Sequence, residues 1–365
     1  AASLQVTGPG SVTAGVASTF IVTARDSFSN TATGYTGTVH FTSSDTTAVL
    51  PGDYTFTGPD AGTHTFTNQV TLKAAGAHTV TATDTVTPSI NGSTGVTVNP
   101  AGAASFTVTA SNYSPTAGNA ISVTVTARDA FFNLATGYLG TVTFTSTDPL
   151  ASLPSNYSFN AGDAGSHTFS LLVTLKTVGS RTVTATDTVT PSITGTTPNI
   201  NVQPAAASSL QVTGLTSPIT AGNLSGVTVT ARDPYGNTAP GYTGTITFSS
   251  SDPQVSGPDL PLNYTFLAGD LGTRTFPNSV RLKTAGSQTV TATDTGTPSI
   301  TGTSSGVTVN PAAAASLQVT GPASVTAGVA STFSVTARDS FSNTATGYTG
   351  TVHFTSSDTT AVLPG

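Results

Sequence analysis

The chain has 365 residues and a net charge of −6, with 36% hydrophobic residues, only 7% charged residues and no Cys, Met or Trp. That is room for roughly two to four domains with real cores, and it excludes disulfides, thiolate metal sites and a cysteine nucleophile. Ten Lys and Arg residues scattered singly make no stripe that could neutralise a phosphate backbone, so nucleic acid is not an expected partner.

All 16 acidic residues are Asp. The residues that keep their rotamer freedom in a helix are scarce, while Thr is the commonest residue of all and suits a pleated surface, so the chain reads as all-β. In order, the strand candidates are SLQVT, STFIVTARD, GTVHFTSSD, DYTFT, THTFTNQVTLK, AHTVTATDT and STGVTVNP, separated by turn residues. The apolar period within them is two. It sends Phe20, Val22, Ala24, Val39 and Phe41 inward and Ile21 outward. About seven strands per hundred residues is the density of an immunoglobulin-like sandwich.

The set then recurs. Arg-Asp stands at Arg25-Asp26, Arg128-Asp129, Arg232-Asp233 and Arg338-Asp339, so each period is one domain long. Pro100, Pro204 and Pro311 precede short Ala/Ser joints, too short and too poor in Gly to act as floppy tethers. The expected domains are 1–101, 102–205, 206–312 and the first half of a fourth, 313–365. They are all-β, tandem immunoglobulin-like Greek-key β-sandwich domains in a linear array, each with the neighbouring repeats of one long chain as its partners. Residues 1–52 and 314–365 differ only at Gly10 against Ala323 and Ile21 against Ser334. A three-domain cassette of 313 residues is thus the expected building period, and TGYTGTVHFTSSDTTAVLPG, which opens at Thr33 and again at Thr346, reads as an interrupted repeat.

Candidate chemistry is sparse. His40 aligns with Thr143 and Thr247, His78 with Arg181 and Gln288, and His64 with His167 and Arg274, so the histidines read as parts of a solvated face. Asp26 and Asn30, Asp129 and Asn133, and Asp233 and Asn237 recur at fixed spacing, as they would in a calcium loop. Calcium wants six to eight oxygens, and the favoured reading is that Asp and Asn cap their own turn. Asp45, Asp148, Asp252 and Asp358, and Asp84, Asp187 and Asp294, read as strand-end turns. No paired-carboxylate cleft, no nucleophile elbow and no cofactor motif is present, so neither catalysis nor a cofactor is expected. Glycosylation sequons stand at Asn91, Asn112, Asn156, Asn223 and Asn263. Tyr35, Tyr138, Tyr242 and Tyr348 are candidate surface anchors that packing against the sandwich would equally explain.

The strings DSFSNTATGYTGTVHFTSSD, DYTFTGPDAGTHTF and VTLKAAGAHTVTATDT, joined by VTVNPA, resemble the tandem bacterial immunoglobulin-like repeats of very large secreted or surface proteins. More distantly they are similar to invasin- and intimin-type adhesin repeats. The resemblance implies a structural stalk or fibre at a bacterial surface or outside the cell, giving length and mechanical stability without chemistry of its own. It leaves open an adhesin-type module recognising a protein or glycan with calcium assistance, other copies in a fibre, and covalent glycans. No membrane span is expected within this segment.

Overall fold

The computed structural model describes residues 1–365 and consists of strands joined by turns and a few single-turn 3-10 segments. No helix in it is long and apolar enough to cross a membrane. It divides into two compact units, Ala1–Gln203 and Pro204–Gly365.

The first repeat shows the plan. Its strands are β1 (Ser3–Thr7), β2 (Ser11–Thr13), β3 (Ala17–Arg25), β4 (Thr38–Ser43), β5 (Tyr54–Thr55), β6 (Thr63–Thr71), β7 (Gly76–Asp84) and β8 (Asn91–Asn99). One sheet is β1-β3-β6, antiparallel throughout, with Val6 opposite Val22 and Phe20 opposite Phe66. The other runs β2-β8-β7-β4-β5, and only its β2 and β8 are parallel. The leading strand therefore changes sheets. Gly8-Pro9-Gly10 makes the break, because Pro has no N–H to donate to a ladder, and the split raises the expected seven strands to eight. Two facing sheets of this connectivity form an immunoglobulin-like sandwich, and the chain repeats it.

The alternation along the strands builds the core. Phe20, Val22, Ala24, Val39, Phe41, Val80 and Ala82 are buried in the first repeat, as are Val227, Val229, Ala231, Ile246, Val290 and Ala292 in the third. Each such Val, Ile or Phe contributes about 1.5–3 kcal/mol relative to exposure. The outward positions are largely Thr, paired across strands through their hydroxyls: Thr38 with Thr55 at 2.7 Å, and Thr184 with Thr196 and Thr291 with Thr303 at 2.8 Å. Glycine is required where β8 crosses β1, since a Cβ on Gly92 would lie 1.7 Å from the Leu4 carbonyl oxygen. In the fourth repeat, Ser316–Thr320 pairs with Ser334–Arg338.

A side-chain pair closes each complete sandwich. Tyr35 is buried, edge-on to Phe56 with ring centroids 5.1 Å apart, and its hydroxyl donates to Asp84 Oδ2. Asp84 Oδ1 accepts the N–H groups of Val86 and Thr87, so one carboxylate holds both the turn after β7 and the segment before β4. Tyr138 with Asp187 and Tyr242 with Asp294 repeat the arrangement. Burial first, and then the adjoining carboxylate, push all three phenols well above their usual pKa. These tyrosines are built into the fold and are not surface anchors; Tyr348, in the fourth repeat, is exposed.

Tyr35→Phe removes the donor but keeps the ring, leaving one oxygen of a buried carboxylate unpaired. The expected outcome is a loss of about 1–3 kcal/mol in the stability of the first repeat, read by urea denaturation. An unchanged midpoint would show that the pair is not needed.

Candidate functional site

Chemistry-bearing side chains concentrate where one repeat meets the next within each unit. The receiving side is the loop after β6. Asp45, at the end of β4, accepts the N–H and hydroxyl of Thr47 on Oδ1, and the N–H groups of Lys73 and Ala74 on Oδ2 at 2.6 and 3.0 Å. Burial works against its charge, but the bonds from Lys73, Thr47 and Ala74 prevail and hold its pKa at about 2. The sequence reading of Asp45 as a strand-end turn is thus half of its role. The other half is to pin a loop 28 residues on.

The arriving side is the Asp-Asn turn of the second repeat. Asp129 Oδ1 accepts the N–H groups of Phe131 and Asn133, and its Oδ2 accepts the linker N–H of Ala101 at 3.0 Å. Asn133 crosses the joint. Its Oδ1 accepts the Ala75 N–H at 2.8 Å, and its Nδ2 donates to the Lys73 carbonyl at 2.7 Å and to Asp129 Oδ2 at 2.8 Å. Desolvation opposes ionisation of Asp129, yet the Asn133 side chain and the backbone N–H groups hold its pKa below the ordinary range. The Phe131 ring lies over Gly15 of the first repeat. A Cβ there would sit 2.4 Å from the ring, and the φ of +81° independently favours glycine.

The second unit builds the same joint from the same parts. Asn343 accepts from the Ala285 N–H and donates to the Lys283 carbonyl, both at 2.8 Å. Asp339 accepts the Phe341 and Asn343 N–H groups and the linker N–H of Ala312. Phe341 lies over Gly222, and Asp252 pins Lys283 and Thr284. This joint has additions. Gln254 Nε2 donates to the Phe341 carbonyl at 2.9 Å, and Lys283 Nζ pairs with the buried Asp259 at 2.6 Å.

The remaining candidates have their own partners. Asp233 accepts from Tyr235, Asn237 and, in its linker, Ala205. Asp26 accepts from Phe28 and Asn30 alone. Every Asp-Asn set offers one carboxylate whose two oxygens already accept N–H groups, and no three His, Cys, Asp or Glu side chains cluster. His40 meets Asp53, and His78 meets Ser44. His64 and His167 stack on Tyr54 and Tyr157 while bonding Asp60 and Asp163. Arg274 takes the same place over Tyr264, beside Asp270. That position therefore tolerates His or Arg for a physical reason: either presents a flat, nitrogen-bearing group to a ring and a carboxylate. All five sequon asparagines, Asn91, Asn112, Asn156, Asn223 and Asn263, are exposed.

No protein-family model and no curated protein matches the chain. Among solved structures it is similar to the Escherichia coli adhesin FdeC, at 20% identity over 84% of this chain and 96% of that one with a TM-score of 0.36. InvD of Yersinia pseudotuberculosis matches at 18% identity over 84% of this chain and 95% of that one, TM-score 0.33. Invasin, a bacterial integrin-binding protein, matches at 18% over 87% of this chain and 61% of that one, TM-score 0.32. Scores this low do not bear on function.

Two outcomes are expected. Asn133→Ala should leave the unfolding midpoint of each repeat nearly unchanged while accelerating proteolytic cleavage near residues 100–104, and Asn133→Asp, which sets a second carboxylate against Asp129, should accelerate it further. Equal cleavage in all three proteins would show that Asn133 does not hold the joint. Calcium should not raise the melting temperature of the chain, and a rise of several degrees reversed by a chelator would restore the calcium reading of Asp26, Asn30 and their counterparts.

Proposed function

We propose that this chain is the repeat region of a bacterial extracellular or cell-surface stalk or fibre, in which the sandwiches supply length and resistance to unfolding and perform no chemistry of their own. The observation that carries the reading is the joint, built twice from an Asp-Asn turn, an aromatic ring over a glycine and a carboxylate-pinned loop. Such a joint limits bending in a way that a Gly/Ser tether does not. At these joints Asp, Asn and Phe meet backbone groups and glycines of the same chain.

The strand order of a single repeat supports the same use. β2 lies near the entry of the repeat and β8 at its exit, and they pair in parallel, with Ser11 opposite Thr97 and Thr13 opposite Asn99. Tension applied at the two ends of the repeat slides these strands along each other, so the ladder bonds are loaded together instead of one at a time. The alternative, an adhesin-type module, loses three of its four candidate tyrosine anchors, because Tyr35, Tyr138 and Tyr242 are buried.

Stretching the full chain from its termini in a single-molecule force experiment should give three similar unfolding events, one for each complete sandwich. One cooperative event, or extension without force peaks, would contradict mechanically independent domains.

A further inference from the structure

The surface of the first repeat made by Asp26, Phe28 and Asn30 is a copy of one seen docked in the second unit. Residues 1–52 and 314–365 differ only at positions 10 and 21 of the first stretch, so Asp339, Phe341 and Asn343 are the same residues in the same context. In the second unit Asp339 and Asn343 are buried and Phe341 is half-buried, whereas in the first repeat Asp26 is half-buried, Asn30 is exposed and Phe28 is 85% exposed. The free turn already has the docked shape. Asp26 Oδ1 accepts the Phe28 and Asn30 N–H groups at 2.9 and 2.8 Å, as Asp339 does with its own pair, and Ser29 and Ser342 share a φ of 66°.

We propose that this surface is the docking face for the end of a third repeat, residues 206–312, from another copy of the 313-residue cassette. The groups that Asn343 and Asp339 meet there are the Ala285 N–H, the Lys283 carbonyl and the Ala312 N–H, and Asn30 and Asp26 carry the matching acceptor and donor atoms. Phe28 then covers Gly222, whose lack of a Cβ admits the ring that Phe341 places there.

The third repeat suits this face better than the other two. Its Gln254 reaches the Phe341 carbonyl. The same position, two residues after the loop-pinning aspartate, is Thr47 in the first repeat, whose hydroxyl is taken by Asp45, and Leu150 in the second, which has no polar group. The Asp259–Lys283 pair further steadies the loop whose carbonyl Asn30 would meet. The inference extends the spacer reading to the boundary between cassettes. That reading stands on joints inside the two units, so failure here would leave it intact.

The chain contains no Trp, so Phe28→Trp gives a single indole, excited apart from the tyrosines, at an exposed site. The comparison is between the full chain carrying this substitution and the same chain preceded in frame by an unsubstituted second copy of residues 1–313. In the longer protein the indole, which sits in the downstream copy, should emit further to the blue and be quenched by acrylamide several-fold less. Adding Asn30→Ala in that copy should return it toward the exposed value. Hydrogen exchange across residues 26–30, measured with Phe28 retained, should slow in the same comparison and covers the case of an indole too large for the contact. Equal quenching together with equal exchange in the two proteins would overturn the proposal.

Discussion

A carboxylate on a short side chain, accepting backbone N–H groups from its own turn while its second oxygen reaches a separate segment, is the interaction on which the rest of this molecule depends. Asp45 joins its own turn to the loop at Lys73 and Ala74. Asp84 joins its own turn to Tyr35, and Asp129 joins its own turn to the linker at Ala101. In a chain with 7% charged residues and no Glu, these bonds do what longer ion pairs do elsewhere. The chemistry favours Asp. Its single methylene keeps the carboxylate close to its own backbone, where one oxygen caps the turn and the other reaches out. Hydrogen bonds to a charged acceptor contribute about 1.5–3 kcal/mol each, and N–H donors bring no second charge to desolvate.

These bonds form a relay. Asp45 holds the loop, the loop presents the Lys73 carbonyl and the Ala75 N–H, Asn133 meets both, and Asp129 holds Asn133. Stiffness at the joint therefore rests on order within the repeat before it. An amide is the right group at the crossing, since one side chain must accept from an N–H and donate to a C=O two residues apart, as an adjoining strand would. The third repeat strengthens its end of the relay with Asp259 and Lys283, the former 2% exposed. Asp259 also accepts the N–H and hydroxyl of Ser256, so the pair ties the Lys283 loop to a second turn of the same repeat.

Much of the fold was legible because it is periodic. Alternation of two marked Phe20, Val22 and Ala24 as inward, and the recurrence of Arg-Asp marked the strand pattern as one that repeats along the chain. The recurring Asp and Asn were visible, and so was their turn-capping role. What they cap across the joint was not, because the partners are backbone N–H and C=O groups of Lys73, Ala75 and Ala101, which any residue supplies and no letter of the sequence records. Gly15 and Phe131 were each in view, but nothing in their spacing joins them. Tyr35 and Asp84 left a trace: they are 49 residues apart in the first repeat, as Tyr138 and Asp187 are in the second. The split of the leading strand into β1 and β2 was hidden because three residues, Ser11–Thr13, are too few to show a period.

The pattern of variation between repeats then has a physical sense. Outward positions drift freely, as His40, Thr143 and Thr247 do, because a strand surface there needs only a side chain compatible with the pleat. Where a position carries a side chain that must touch something fixed, the choice narrows to groups sharing one shape, as with His64, His167 and Arg274 over their tyrosines. At the joint, where one side chain must answer several backbone groups at once, the same residues recur in both units: Asp129 and Asp339, Asn133 and Asn343, and the glycines under Phe131 and Phe341. The joint thus allows the sandwiches around it to diverge, provided that four side chains and one glycine stay in place.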